Sequence, residues 1–308
     1  MTTTLLVDGS NIAWAAFYVG ETLIDHLGRP TGAIFGFLRM VRAAADQISE
    51  LTGDTVKVMI AWDSSRESLW RRDVYPDYKA SRDTEKTPED LARLADFGDQ
   101  VKRIRQILPC LGITQIRAER FEADDLAGWL TRRWPQTRFV LMSGDYDWLQ
   151  LVSPTVSCWI VSKAQLVTPL NFADIVQARY GVPLTNPDQY VRMKAIAGDD
   201  GDDVPGAPGI GTKTAGKYIL GELAKKKDGT QTAKEQAIVQ WLNDPMGYER
   251  SLKLVDLRDM QIPAEAVTLE RGAFDESAFV DVCMTHSFDS IYNDLPTWIV
   301  PFKLAAVS

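Results

Sequence analysis

The sequence predicts an α/β fold, a mostly parallel central sheet flanked by helices, followed by a second region that is helical. Three observations carry that prediction. Short apolar runs bounded by turn residues recur through the first half, helical periodicity fills the gaps between them, and the strand signal fades after Pro169. With 308 residues, 45% of them hydrophobic, the chain is long enough to bury a large core.

The strands, in order, are TLLV (4–7), VKVMIA (56–61), ITQIR (113–117), RFVLM (138–142) and VSCWI (156–160). Residues 32–51 place apolar side chains at i, i+3, i+4 and i+7, as do residues 122–134, so both read as amphipathic helices between strands. Beyond Pro169, the stretches NFADIVQARYG, NPDQYVRMKAIAG, TKTAGKYILGELAKKK and AKEQAIVQWLND read as helices, with Pro183, Pro187, Pro205 and Pro208 marking the breaks. The expected division is an α/β core over 1–168, a helical region over 169–260 and an acidic segment of unassigned role over 261–308.

Residues 63–111 are too long for a simple crossover between two strands. Between residues 66 and 105 they interleave ten Lys and Arg and nine Asp and Glu with Trp70, Tyr75 and Tyr78. Either a charged arm or a solvated helical hairpin fits that composition.

No apolar run approaches the ~18 residues of a membrane span, and MTTTLLVDGS lacks the basic start and cleavage site of a signal peptide. A cytoplasmic protein without a membrane partner is expected. Cys110, Cys158 and Cys283 are far apart and have only His26 and His286 for company, which argues against a zinc site or a disulfide framework. The net charge of −8 is uneven: residues 251–308 carry −5, whereas 209–227 carry +4 from Lys213, Lys217, Lys225, Lys226 and Lys227 against Glu222. Local fields rather than the total guide a polyanion, so such a partner is compatible with the sum.

Carboxylates gather where the strands end. Asp8 follows the first strand, Asp63 the second, and Asp145 and Asp147 the fourth, while Glu122, Asp124 and Asp125 follow the third by a short loop. In an open parallel sheet those ends share one edge, where ligands bind. Taken singly, Asp8 favours a helix cap or turn, and Glu122-Ala-Asp124-Asp125 reads equally as capping favoured by the helix dipole. Four independent strand ends doing the same are not explained by capping. A donor set of carboxylates alone suits hard cations, Mg²⁺ or Mn²⁺, and two such ions about 3.5–4 Å apart support in-line displacement at phosphorus with no histidine base.

The stretch AGDDGDDVPGAPGIGTKTAGKY (197–218) sets Asp199, Asp200, Asp202 and Asp203 directly before a glycine-rich loop and a basic helix. Gly206, Gly209 and Gly211 permit close backbone approach, and a helix starting near Thr212 aims amide donors at an anion, with Lys213 and Lys217 on one face. By itself PGAPGIG also reads as an ordinary turn. Beside the acids, it suggests one phosphate cut and another phosphate held.

The motifs LLVDGSN, AWD, LWRRDVYPDYKASR, FEADDLAGWL, SGDYDWLQL and GDDGDDVPGAPGIGTKTA, in this order, resemble the 5′ nucleases, the family of flap endonucleases and of the 5′-3′ exonuclease domains of bacterial DNA polymerase I, over roughly residues 4–260. The chain is similar to the free-standing phage and bacterial forms. The resemblance implies a PIN-like core, a helical arch over about 66–107 and a helix-three-turn-helix DNA-binding element in the helical region. It implies metal binding by Asp8, Asp63, Glu122, Asp124, Asp125, Asp145, Asp147, Asp199 and Asp202, with two or more Mg²⁺ or Mn²⁺ ions. Lys79 and Arg82 match basic residues at the scissile phosphate, Tyr78 an aromatic that stacks on a base, and Lys194 a basic position beside the last acids. Trp70 and Tyr75 are expected in the core. The loop from Gly206 to Gly211 matches the duplex-backbone site, which in relatives is assisted by K⁺.

The implied activity is divalent-metal hydrolysis of DNA at 5′ ends, flaps or nicks during replication or repair, as exonuclease and flap endonuclease, by a monomer, with RNA primers in RNA-DNA hybrids as further substrates. The chain departs from the family pattern at Asp203, where Asn is usual and an added carboxylate is expected to alter metal occupancy, at Tyr146, where Lys is frequent, and at Gly201, where Ser is common. A carboxylate-site ribonuclease of related fold explains the acids but not the basic loop. A non-catalytic DNA-binding module explains the loop but not the acids.

Overall fold

The computed structural model describes residues 1–306 apart from Glu21 and Thr84. The five anticipated strands form β1 (Thr2–Asp8), β2 (Thr55–Trp62), β3 (Thr114–Ala118), β4 (Arg138–Ser143) and β5 (Val156–Ile160), all parallel, in the order β5-β4-β1-β2-β3. Two short antiparallel strands that the apolar pattern did not signal close the edges, β6 (Gln165–Val167) beside β5 and β7 (Val267–Glu270) beside β3. Pairing both edges leaves no long parallel strand with unpaired backbone groups.

The sheet separates two apolar layers, and alternation along each strand assigns side chains to one or the other. Leu5 and Val7 of β1 join one layer, with α1 (Gly9–Val19), α2 (Gly32–Thr52) and the inner end of α4 (Pro88–Ile107). Leu6 joins the other, with α5 (Ala123–Arg133), α6 (Phe172–Tyr180) and α7 (Pro187–Ala197). Ile34, Phe37, Ile60, Leu126, Leu141 and Met193 are fully buried, each contributing about 1.5–3 kcal/mol by leaving water.

Between β2 and β3, the five-residue helix α3 (Trp70–Val74) and a 3-10 turn at Ala80–Asp83 precede α4. Thr87 and Asp90 cap α4 reciprocally, and only Gln100, Ile104 and Ile107 of this helix are buried, so its first half is a solvated face. Gln100 Oε1 accepts from the Ala33 N–H at 2.8 Å and fastens the inner end to α2.

Three further helices, α8 (Thr212–Ile219), α9 (Ala233–Asn243) and α10 (Arg250–Val255), complete the helical region. The periodic stretch 212–227 stops as helix at Ile219, because Gly221 takes the left-handed conformation at φ 71°. Lys225, Lys226 and Lys227 therefore lie on an exposed turn.

Residues 261–306 are packed on the α/β core. After β7, the helices α11 (Glu276–Thr285), α12 (Asp289–Tyr292), α13 (Leu295–Trp298) and α14 (Val300–Ala306) insert Phe279, Trp298 and Phe302 into the layer containing α2. The Phe279 and Trp298 rings stack at 4.9 Å. The last two residues of the acidic segment lie outside the described residues. Among the described residues, no helix is long and apolar enough to cross a membrane.

Candidate active site

Parallel register brings the strand ends together. Asp8 at the end of β1 pairs with Ala61 of β2, two residues before Asp63, and Val7 pairs with Met142 of β4, three residues before Asp145. Asp8, Asp63, Glu122, Asp124, Asp145 and Asp202 line one cleft of about 400 Å³ together with Lys79 and Arg82. The strand-end argument thus holds for four adjacent strands, and Asp202 reaches the same cleft from the loop after α7.

The capping reading of these acids is realised, and Asp8, Glu122 and Asp145 also line the cleft. Asp8 Oδ1 accepts from the Asn11 N–H at 3.0 Å as the cap of α1, while Oδ2 accepts from Ser143 Oγ at 3.0 Å. Glu122 caps α5, and Asp145 Oδ1 accepts from the Asp147 N–H at 2.8 Å. Capping fixes the carboxylates where they stand and leaves lone pairs toward the cleft.

Crowding sets their protonation. Burial first, then the neighbouring Asp63, pushes Asp8 up to about 8. Burial followed by Asp8, Asp145 and Glu122 holds Asp124 well above the usual carboxylate range. Asp63 is exposed on the cleft, and desolvation followed by Glu122 raises it. Asp202 is raised by burial, against the pull of Lys79. For Glu122 burial acts upward, but Arg71 and Lys79 outweigh it and hold the group below its ordinary value.

Two lysines meet the acids as internal cations. Lys79 Nζ lies 2.5 Å from Glu122 Oε1 and 3.4 Å from Asp202 Oδ2, and Arg82 Nη2 lies 2.8 Å from Asp202 Oδ1. Lys194 Nζ joins Asp147 Oδ1 at 2.9 Å to Asp199 Oδ2 at 2.5 Å, a second group beside the cleft. Burial and Asp145 push Asp147 up to about 7, whereas Lys194 overcomes burial to hold Asp199 low.

Among the described residues, no three acids already stand as a closed ligand shell. The lysines draw four of the acids into ion pairs instead. The donor chemistry nevertheless fits a hard divalent ion: the ligating atoms are carboxylate oxygens, and the mutual repulsion that raises Asp8 and Asp124 is what a cation relieves.

Two expectations are corrected. Tyr78, expected to stack on a base, is 2% exposed, and its hydroxyl, with one proton to share, lies 2.8 Å from Glu122 Oε2 and 2.9 Å from Asp202 Oδ2. A ring so enclosed offers no face to a base. Asp125, expected among the metal ligands, is fully buried behind the cleft and gripped by both terminal nitrogens of Arg71, at 2.7 and 2.9 Å. Trp70 and Tyr75, expected in the core, are half-buried, and Trp70 Nε1 donates to Asp125 Oδ2 at 3.1 Å.

Trp14 and Phe97, which sequence reasoning passes over, line the cleft and stack with ring centroids 3.6 Å apart. Trp14 lies six residues after Asp8 and Phe97 on the arm between β2 and β3, so their only signal is aromatic character near the motif.

The glycine loop leads from the second acid group into α8. A side chain at Gly206 would place its Cβ 2.1 Å from the Ala197 carbonyl oxygen, so this glycine is needed for packing. Gly209 has φ 72°, and both it and Gly211 face open space. Lys213 and Lys217 are exposed on α8.

The family model of the 5′-3′ exonuclease N-terminal, resolvase-like domain matches residues 3–181. The chain belongs to the 5′-3′ exonuclease family. Among curated proteins, it is 34% identical over 213 residues to the thermostable DNA polymerase I of Thermus filiformis, covering 68% of this chain and 23% of that protein. It is 32% identical over 285 residues to DNA polymerase I of Mycobacterium tuberculosis, covering 89% of this chain and 29% of the other. This 5′-3′ exonuclease family member thus spans between a fifth and a third of the length of these relatives.

Solved structures share its fold. The 5′-exonuclease of T5 with bound zinc superposes with a TM-score of 0.64 at 19% identity, over 96% of this chain and 99% of that one. The T5 flap endonuclease in complex with DNA and metal ions gives 0.61 at 19% identity, over 99% and 100%. Flap endonuclease-1 of Methanococcus jannaschii gives 0.59 at 16% identity, over 98% and 92%.

Proposed function

We propose that this chain is a divalent-metal-dependent 5′ nuclease that hydrolyses phosphodiester bonds at or near 5′ ends of branched or nicked DNA, as exonuclease and flap endonuclease, releasing 5′-phosphorylated products. The observation that carries the proposal is the convergence of six carboxylates on one cleft whose wall bears Lys79 and Arg82. Family membership over residues 3–181 supports it.

In this reading Asp8, Asp63, Glu122, Asp124, Asp145 and Asp202 hold Mg²⁺ or Mn²⁺ in the cleft, and Asp147 and Asp199 form the neighbouring acid group. The chemistry such ions supply is activation of a water and neutralisation of the leaving oxygen. Lys79 and Arg82 exchange their carboxylate partners for the scissile phosphate and place positive charge where the transition state accumulates negative charge. Trp14 and Phe97 offer the flat apolar surface on which a base beside that phosphate rests. The loop from Gly206 to Gly211 and Lys213 and Lys217 hold duplex backbone away from the cut, with K⁺ as a further ligand of that loop. RNA primers in RNA-DNA hybrids are further substrates, and the protein acts as a monomer.

The test compares cleavage of 5′-flap DNA, nicked duplex and single-stranded RNA with and without Mg²⁺. Metal-dependent cutting of the DNA substrates is expected. Cutting confined to RNA would favour a ribonuclease, and binding without cutting a non-catalytic module.

A further inference from the structure

Arg71 is 2% exposed and joins three parts of the chain. Its Nε donates to the Leu254 carbonyl of α10 at 2.8 Å, Nη1 to Glu122 Oε2 at 3.0 Å and Asp125 Oδ2 at 2.9 Å, and Nη2 to Asp125 Oδ1 at 2.7 Å. Its guanidinium carbon lies over the Trp70 ring at 4.8 Å and the Tyr78 ring at 5.6 Å. The two carboxylates it holds start the same helix yet do different things: Glu122 faces the cleft and Lys79, and Asp125 faces away.

A carboxylate offers about four lone-pair sites. Four donors converge on Asp125: Arg71 Nη1 and Nη2, Trp70 Nε1 at 3.1 Å and the Glu122 N–H at 2.9 Å. Three of these donors meet Oδ2 and one meets Oδ1, and the residue is fully buried and outside the cleft lining, so neither oxygen is open to an ion in the cleft. Glu122, in contrast, keeps Oε1 on the cleft side, where its partner is the Lys79 ammonium.

We infer that Arg71 is a positioning residue: its planar fork holds the Glu122 carboxylate at the edge of the cleft and binds Asp125 as a buried counter-charge outside the ion-binding set. A lysine keeps the charge but lacks the fork, and cannot serve Glu122, Asp125 and the Leu254 carbonyl together.

The inference rests on the nuclease reading only for its kinetic arm. In the first arm, calorimetry with Mn²⁺ alone compares wild-type protein, D125N and, as a control expected to lose at least one ion, D124N. Wild-type ion stoichiometry in D125N is expected; loss of an ion there overturns the counter-charge role. In the second arm, R71K, checked for folding by circular dichroism, is expected to cut flap DNA about a hundredfold more slowly at saturating protein, the scale of a misplaced catalytic group. Its affinity for that DNA in Ca²⁺ stays within about threefold, which a general loss of structure would not allow. A wild-type rate in folded R71K overturns the positioning role. If R71K does not fold, D125N decides alone, and if the wild-type protein cuts no DNA, it is the nuclease reading that fails while the Mn²⁺ arm still reads out.

Discussion

The backbone N–H of Ser81 donates to the Asp203 carboxylate at 2.9 Å, across 122 residues of chain. Around it, the Lys79 N–H donates to the Asp202 carbonyl at 3.0 Å and Arg82 Nη2 to the Gly201 carbonyl at 2.9 Å, so the segment carrying both basic residues is docked on the acidic loop. Hydrogen bonds from the Ser81 hydroxyl and backbone hold Asp203 below its ordinary pKa. We propose that Asp203 anchors this segment and does not alter metal occupancy. D203N should behave like wild type, since an amide oxygen accepts the same bond and Asn tolerates the left-handed φ of 56° at this position. D203A should slow cleavage at saturating DNA by about tenfold, the worth of one hydrogen bond, with Mn²⁺ affinity unchanged. A change in Mn²⁺ affinity in D203A would return Asp203 to the metal set.

Lys79 is held in the left-handed region at φ 55° with its ammonium between Glu122 and Asp202, a strained backbone conformation at the wall of the cleft. K79A should lower the single-turnover rate about 10²- to 10³-fold while affinity for flap DNA in Ca²⁺ falls only a few-fold. An unchanged rate with weakened affinity would make Lys79 an ordinary backbone contact.

Asp124 lies among the acids of the cleft and accepts from Trp148 Nε1 at 2.5 Å, which fixes one oxygen and leaves the other for a ligand. D124N preserves size and removes charge beside the phosphate. Cleavage in Mg²⁺ should fall by at least about a hundredfold while DNA binding in Ca²⁺ stays the same or tightens. Wild-type cleavage by D124N would remove this residue from the metal set.

Metal-free stability should decline with rising pH. Asp8 and Asp147 have folded-state pKa values of about 8 and 7. Unfolded carboxyls titrate near 4, so between about pH 4 and 8 the folded chain binds protons that the unfolded chain has released, and stability falls by up to about 1.4 kcal/mol per pH unit per proton. His286 acts oppositely: burial and then Arg103 lower its pKa, so stability rises as pH approaches the free-histidine value, and this gain is complete by about pH 7.5. Thermal melts in chelator should therefore fall between about pH 5 and 8, with His286 offsetting part of the fall below about pH 7, and level off above about pH 8. Excess Mn²⁺ should flatten the slope by holding the carboxylates ionised. Equal slopes with and without Mn²⁺ would separate these acids from ion binding.

Legibility in the sequence differs by element. Five buried parallel strands announce themselves as apolar runs, and Asp8, Asp63 and Asp145 follow from where those runs stop. β7 has one partly buried residue and three exposed ones, and it exists because β3 offers an edge, a tertiary cause with no local pattern. Tyr78 and Asp125 depart from expectation for a related reason. Motif position fixes which residues come near the site, but Arg71, from another segment, decides which way Asp125 faces.

In the proposed reading, the loop after the second acid group grips one phosphate while the cleft cuts another. Gly209 and Gly211 leave open space before the N-terminus of α8, and Lys213 and Lys217 are exposed on that helix, four residues apart and on one face. Replacing both lysines with alanine should weaken duplex binding and flatten its salt dependence by a slope of about 1 for each phosphate no longer neutralised, because counterion release follows the number of neutralised phosphates and not the base sequence. The single-turnover rate at saturating protein should hardly change, since neither lysine lines the cleft. G206A serves as the contrast: its Cβ would collide with the Ala197 carbonyl, so it should lower thermal stability before it affects the salt slope. Affinity for one flap substrate across a salt series, with the rate measured in parallel, decides. An unchanged salt slope in the double lysine variant would reduce the loop to a turn between helices.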